Sequence, residues 1–220
     1  IEKFIGPETE VVGTYEMDPL GMGPVTMTFT FGRKQTSYDE YYNAELHRRI
    51  NAAKKKNGSH AKVIAGASGT WQYNYAPEKI DEYGLYAVLE GEMGGIAPEI
   101  DGHAGRFFDY LIDGKFENMD PFQKRRDFKV DIKEFKRGDK TMHGRFVNFW
   151  DRPELDEIPE IVEPSMHGMV EVMRGCGRGC KFCDVTLRSL RYYPPEKVQK
   201  EIEVNIKKTG LDRAWLHSDD

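Results

Sequence analysis

Apolar residues in the first part of the chain recur with the periods of strands and helices. Two strand-like runs, 10–15 and 25–31, are separated by a loop rich in glycine and proline. Ser37 can cap a helix that extends to about Asn57, and Gly58 can end it. The apolar face of this helix is predicted from residues spaced four apart, namely Tyr42, Leu46 and Ile50. The pattern therefore predicts two strands followed by one long helix.

A unit of strand, helix and strand follows. Apolar runs at 61–66 and 85–92, each bounded by glycine, predict two buried strands, and 76–84 between them predicts a short helix. A further helix is expected to begin near residue 96 or 98 and to end near residue 112. Strands that alternate with helices at this spacing predict a parallel, doubly wound α/β sheet.

Extended segments and a linker lie in the middle of the chain. Residues 127–149 have the pattern of a hairpin or of two edge strands, and residues 151–165 carry the prolines and acids of a linker. We expect a domain boundary near residue 160. The chain is therefore divided into a first domain, residues 1–160, and a second domain, residues 161–220.

The second domain starts with a predicted strand at 167–173. Two prolines open a helix over residues 194–208, Gly210 stops it, and residues 212–217 predict another strand. The apolar face of the helix is predicted from the same spacing of four, with Val198, Ile202 and Ile206. This order is that of a β/α unit followed by the next strand.

Composition narrows the class of protein. Of the 220 residues 31% are charged, and no apolar run reaches the length of a membrane-spanning helix, so we expect no membrane association. The first residues lack the basic and long apolar regions of a signal peptide. A net charge of −5 argues against a general nucleic-acid surface but leaves an RNA substrate open. The densest basic run, Lys54–Lys56, fits a solvated helix end favoured by the helix dipole.

The three cysteines are the candidate metal ligands of the chain. All three, Cys176, Cys180 and Cys183, lie within one short segment, which is a poor framework for disulfides and fits thiolates that bind metal in a reducing compartment. We therefore expect a cytoplasmic protein. Their spacing, C-x3-C-x2-C with glycines between, allows three thiolates to hold three corners of an iron–sulfur cubane and leaves the fourth iron open. An open iron can bind the amino and carboxylate groups of a bidentate substrate. Phe182, just before the third cysteine, can shield the cluster from solvent.

Two other kinds of metal site are alternatives for these cysteines. A zinc site needs a fourth ligand, and His167 and His217 lie too far along the chain to complete a compact motif, although folding can bring either close. A ferredoxin-like electron carrier needs a fourth cysteine, which this sequence lacks.

The motif, with an aromatic residue before its third cysteine and a strand before its first, resembles that of the radical S-adenosylmethionine superfamily. The resemblance implies that Cys176, Cys180 and Cys183 ligate a four-iron, four-sulfur cluster and that the domain begins a partial TIM-type barrel. It implies that an electron from a flavodoxin- or ferredoxin-type donor cleaves S-adenosylmethionine into methionine and a 5'-deoxyadenosyl radical, which abstracts a substrate hydrogen. No catalytic residue beyond the cysteines is identified.

The family holds the amino group of S-adenosylmethionine with a glycine-glycine-glutamate motif after the second barrel strand. Here that strand is followed by Ser218, Asp219 and Asp220, which match the position but not the residue types. These three residues, together with Phe182, are the candidate contacts to S-adenosylmethionine.

The first domain resembles the cobalamin-binding-like domain that precedes many barrels of this family. The resemblance rests on residues 63–68 and 87–92 and covers about residues 10–115. It implies a ligand crevice near four residues at strand ends: Gly66, Ser68, Gly91 and Glu92. Turn geometry alone is an equal explanation for these four. Histidine-ligated cobalamin needs D-x-H-x-x-G after the first strand, and the nearest match, around His103, departs in sequence and in place. We therefore expect His103 to be an ordinary residue, and the domain either to be degenerate or to bind cobalamin without a histidine.

The sequence thus indicates a radical S-adenosylmethionine enzyme with an N-terminal α/β domain. It starts without Met and stops after the second barrel strand, so we expect a fragment that does not complete turnover by itself. The alternative is a non-catalytic α/β binding module with a structural zinc or iron–sulfur knot.

Overall fold

The computed structural model describes residues 1–91, 108, 111–112, 128–149, 155, 158, 160–176, 178–180 and 190–218. The described residues up to 149 belong to one compact unit, and those from 155 onward belong to a second. None of the helices in these ranges combines the length and the hydropathy needed to cross a membrane. The identification of the first unit with a cobalamin-binding-like domain and of the second with the start of a barrel stays a prediction.

The first unit is built on a five-stranded sheet. Its strands are β1 (Val11–Tyr15), β2 (Lys62–Gly66), β3 (Ala87–Glu90), β4 (Phe128–Arg137) and β5 (Lys140–Phe149). Its helices are α1 (Pro24–Phe29), α2 (Tyr38–Asn57) and α3 (Glu78–Glu82), with a 3₁₀ helix at Thr70–Asn74. The strand order is β1-β2-β3-β5-β4, with β1, β2, β3 and β5 parallel and β4 antiparallel to β5. The mixed α/β class and the mostly parallel sheet are confirmed and are compatible with a doubly wound fold.

Buried side chains lie on both faces of this sheet. Val63 and Ala65 of β2 pack in one cluster with Ile50 of α2 and Ile80 of α3. Ile64, which points the other way because side chains alternate along a strand, packs in a second cluster that contains a helical residue of the 108–112 segment. Helical residues therefore cover both faces, as parallel sheets require.

One predicted strand is a helix. The run at 25–31 was expected to be extended, yet Pro24–Phe29 forms α1. The Asp18 carboxylate accepts hydrogen bonds from the Gly23 backbone N–H (2.9 Å) and from Thr26 Oγ1 (2.5 Å), which fixes the start of a helical turn. Val25 and Phe29 are exposed, so the burial that makes such residues favour strands is missing here.

The long helix α2 has the predicted ends but not the predicted face. The Glu40 N–H donates to Ser37 Oγ at 3.0 Å, and Gly58 adopts the left-handed conformation with φ of 65°. Ile50 is buried as expected, but Tyr42 is 64% exposed and His47 is fully buried instead. The predicted face was therefore wrong at Tyr42, because His47 finds a polar partner inside the unit.

The second unit contains two small pairs of strands. They are β6 (Met169–Glu171), β7 (Met173–Arg174), β8 (Arg191–Tyr192) and β9 (Trp215–His217), with α4 (Pro195–Thr209) and a 3₁₀ turn at Met166–Gly168. Strands β6 and β9 are parallel and α4 lies between them in sequence, so they form a βαβ unit. The strand predicted at 167–173 is divided at Val172, whose N–H donates to the His217 carbonyl at 2.9 Å.

Helix α4 also has the predicted length and a different buried face. Its buried side chains are Lys197, Glu201 and Asn205, whereas Ile206 is 39% exposed. The ammonium of Lys197 donates to the carbonyls of residues 155 and 158, and Asn205 Oδ1 accepts from the backbone N–H of Ser165 at 2.8 Å. The predicted apolar face was therefore wrong at Ile206, whereas Val198 and Ile202 are half-buried. The most buried side of the helix is polar because the preceding segment packs there.

Two further expectations have different outcomes. The hairpin predicted within 127–149 is confirmed as β4 and β5, with Gly138 and Asp139 in the turn. The helix predicted between 96 and 112 lies outside the described residues except at its end, where residues 108, 111 and 112 are helical.

Candidate functional site

The cysteine loop is closed at its base by a pair of strands. It leaves β7 after Arg174 and returns to β8 at Arg191, and these two residues are paired across the antiparallel ladder. Met173 is paired with Tyr192 in the same ladder. Backbone pairing therefore holds the two residues that flank the cysteine segment, Arg174 and Arg191, next to each other.

Glycines shape the described part of this loop. Gly175 is buried with φ of 76°, and Gly179 has φ of 75°. Residues with a side chain rarely adopt this left-handed conformation, so glycine is required at both turns. Each of these glycines directly precedes a cysteine: Cys176 is half-buried and Cys180 is exposed.

The predicted metal ligands are only in part within the described residues. Cys183 and Phe182 lie outside them, as do Asp219 and Asp220. In the part of the chain that the structure describes, no three His, Cys, Asp or Glu side chains lie close enough together to hold a metal ion. Soft thiolates are donors suited to iron–sulfur clusters and to zinc.

A polar cluster lies beside the two ends of the loop. Glu171 binds Arg174 through two hydrogen bonds, from Nε to Oε1 (2.8 Å) and from Nη2 to Oε2 (3.0 Å). The hydroxyl of Tyr193 donates to Oε2 of the same carboxylate at 2.9 Å. Burial raises the pKa of the Tyr193 hydroxyl, so that it donates as a neutral phenol. The sequence analysis missed this cluster, since its members lie on both sides of the loop.

Ser218 lies at the same edge of the small parallel sheet as the start of the cysteine loop. It follows β9, in which His217 is paired with Glu171 of β6. The carboxyl ends of parallel strands meet at one edge, which is where α/β sheets bind ligands. Ser218 is half-buried there.

A second polar cluster, also missed from the sequence, lies after β1 in the first unit. The Glu16 carboxylate is buried and receives hydrogen bonds from the hydroxyls of Thr14 (2.7 Å) and Tyr73 (2.5 Å). His47 Nε2 lies 2.7 Å from Glu16 Oε1. Burial first, and then the charge of Glu16, raise the pKa of Tyr73. The available sequence signal was a carboxylate directly after a predicted strand.

The loops after β1 and β2 touch each other near the predicted ligand crevice. A Cβ on Gly69 would lie 2.2 Å from the Met17 carbonyl oxygen, so only glycine fits between the two backbones. Ala67 has φ of 88°, an unusual conformation for alanine, at the turn that follows Gly66. Ser68 is half-buried at this turn.

The other predicted crevice residues lie after β3. Gly91 has φ of 99° and is exposed at the end of that strand. Glu92 lies outside the described residues, and so does His103.

Comparison of the chain with protein-family models, with curated proteins and with solved structures finds no match.

Proposed function

We propose that this chain belongs to a radical S-adenosylmethionine enzyme and holds a four-iron, four-sulfur cluster through Cys176, Cys180 and Cys183. The observation that supports it is a loop offering three thiols, with left-handed glycines, closed at its base by β7 and β8. That loop follows the first strand of a parallel βαβ unit, where sheet edges bind ligands.

The donor set is compatible with such a cluster. Cys176 is half-buried and Cys180 is exposed in the described part of the loop, and Cys183 completes the sequence motif. When bound, a cluster with one open iron supplies the electron that splits S-adenosylmethionine into methionine and a 5'-deoxyadenosyl radical for substrate modification. The chain's own contribution is to hold the thiolates, to leave one iron without a protein ligand and to orient S-adenosylmethionine.

Ser218 is the described residue best placed to contact S-adenosylmethionine, because its strand β9 is paired with β6. Asp219 and Asp220 are proposed to accept hydrogen bonds from the amino group, and Phe182 to cover the adenine. A small electron-transfer protein of the flavodoxin or ferredoxin type would deliver the electron.

The first unit is proposed to be a cobalamin-binding-like domain without a histidine ligand for cobalt. His47 is fully buried against Glu16. His60 precedes β2 and His143 lies in the first half of β5, toward the amino ends of the parallel strands and away from the predicted crevice. The described histidines of this unit therefore do not fit cobalt ligation.

The rival is a binding module in which the same thiolates hold a structural metal. A cysteine loop that is closed at its base by the short β7 and β8 pair is also compatible with that alternative. The two functions differ in the metal and in the response to S-adenosylmethionine.

Anaerobic purification of the full chain, with iron and sulfide analysis, separates them. We expect a brown protein whose reduced electron paramagnetic resonance spectrum changes when S-adenosylmethionine is added. Changing Cys176, Cys180 or Cys183 to alanine should each abolish cluster reconstitution, because three thiolates are the minimum set and no other cysteine is present. Lys181→Ala, in the same loop, is the matched control and should retain the cluster.

Two results would contradict the proposal. Normal iron and sulfide content in any single cysteine variant would remove that residue from the ligand set. A colourless protein that holds zinc, and does not respond to S-adenosylmethionine, would favour the binding module.

A further inference from the structure

A single carboxylate connects the two ends of the cysteine loop. Glu171 lies in β6, Arg174 is the last residue before the loop, and Tyr193 directly follows β8, to which the loop returns. Both Arg174 and Tyr193 donate to the Glu171 carboxylate. The three residues therefore tie the strand before the loop to its entry and its exit.

We infer that Glu171, Arg174 and Tyr193 form a carboxylate clasp that positions Cys176 for metal binding. This inference rests on the proposed function, because it assigns positioning residues to the same metal site. No residue of the clasp is proposed to touch the metal.

The hydrogen-bond geometry makes the clasp rigid. The guanidinium of Arg174 makes two parallel bonds to Glu171, an arrangement that fixes orientation as well as distance. The Tyr193 backbone also contributes, since its N–H donates to the Val172 carbonyl at 3.0 Å. Arg174 is two residues from Cys176, so Gly175 alone separates the clasp from the residue that carries the first thiol.

The side chains of the clasp are partly shielded from solvent, which strengthens the hydrogen bonds between them. The Tyr193 side chain is buried, and those of Glu171 and Arg174 are only 33% and 24% exposed. Arg174 and Lys197 also lie over the Tyr193 ring, with their charged groups 5.8 and 4.9 Å from its centroid. Partners that orient metal ligands in this way strongly affect metal retention.

Two conservative substitutions test the clasp in the full chain. Tyr193→Phe removes only the hydroxyl, and Glu171→Gln keeps the shape of the side chain but removes its charge. Glu163→Gln is the matched control, because it removes a charge that is paired with Lys208 at 2.6 Å on the exposed surface of the same unit.

The measurement is the rate at which the reconstituted protein loses its metal to a chelator, well below the unfolding temperature. We expect both clasp variants to lose metal about 10-fold faster than the unmodified chain, the lower end of the range for such outer-shell partners. The control should lose metal at the unmodified rate. The electron paramagnetic resonance signal should also broaden in the clasp variants alone, which a loss of stability elsewhere in the unit would not cause.

The outcomes separate the clasp from the proposed function. If the unmodified chain holds a cluster and both variants lose it at the same rate as the control, the clasp is wrong and the function stands. If the unmodified chain holds no cluster, the function fails, and amide hydrogen exchange of the metal-free chain decides about the clasp. Faster exchange at residues 173–176 and 191–193 in Tyr193→Phe would then support it, and unchanged exchange would overturn it.

Discussion

Removing the hydroxyl of Tyr73 should destabilise the first unit by roughly 2 kcal/mol, the usual size of a hydrogen bond to a charged group. The hydroxyl donates to Glu16 Oε2 at 2.5 Å, and both side chains are buried, so no water replaces it readily. In Tyr73→Phe the ring stays and no cavity forms, while Glu16 keeps its contacts with Thr14 and His47. The hydroxyl also accepts a long hydrogen bond from Asn43 Nδ2 at 3.4 Å. The main loss is therefore the short bond to Glu16, which corresponds to a fall in Tm of roughly 5–10 °C.

The matched control is Tyr75→Phe, which makes the same chemical change two residues away on a side chain that is 74% exposed. It should change stability by about 0.5 kcal/mol or less. Urea unfolding followed by near-ultraviolet circular dichroism measures both variants, and hydrogen exchange in β1 to β3 assigns the loss to the first unit. Equal midpoints for the two variants would refute the reasoning, because Glu16 would then not depend on the Tyr73 hydroxyl.

Two other predictions concern the same unit. Gly69→Ala should lower the urea midpoint by an amount corresponding to about 2 kcal/mol or more, because its Cβ would collide with the Met17 backbone. The control is Gly66→Ala, whose Cβ would meet no atom closer than 3.9 Å. Equal midpoints for the two variants would show that the loops after β1 and β2 can separate to make room for the Cβ. Burial raises the pKa of Tyr73 and Tyr83. In the unfolded chain a tyrosine loses its proton at about pH 10, whereas Tyr73 and Tyr83 in the folded unit keep theirs at that pH. The free energy of unfolding should therefore be unaffected below that pH and should fall above it by about 1.4 kcal/mol per pH unit for each tyrosine. Urea midpoints from about pH 9 to 11 measure the slope, and an equal slope in Tyr73→Phe would contradict the assignment.

The elements that could be predicted from the sequence are those encoded by neighbouring residues. The cap at Ser37 and the left-handed Gly58 delimit α2, and glycine delimits α4 in the same way. The error at 25–31 has a local cause as well, since Asp18 is close in sequence. The glycine and proline content around Asp18 predicts only a loop, whereas the Asp18 carboxylate bonds Gly23 and Thr26 at the start of the helix that begins at Pro24.

The buried faces of α2 and α4 could not be predicted in this way. His47 is buried because its ring nitrogen Nε2 has a polar partner at 2.7 Å, the carboxylate oxygen Oε1 of Glu16, 31 residues earlier. Asn205 is buried because Ser165, 40 residues earlier, donates to it. Periodicity ranks residues by hydropathy alone, and a polar side chain with a distant partner inside the unit escapes that ranking.

The candidate site has one part that could be predicted from the sequence and one that could not. The cysteine motif lies within one short segment and could be predicted, whereas the clasp depends on a break in a strand. In a regular strand, residues three apart point to opposite faces, so Glu171 and Arg174 could not meet if the single strand predicted at 167–173 continued through Arg174. The chain departs from that strand at Val172, where β6 ends and β7 begins. At this residue the N–H is bonded to His217 and the carbonyl to Tyr193. The same break therefore connects the cysteine loop to both β9 and Tyr193, and it allows Arg174 to contact Glu171. The clasp thus follows from the tertiary pairing of the strands and not from the cysteine motif.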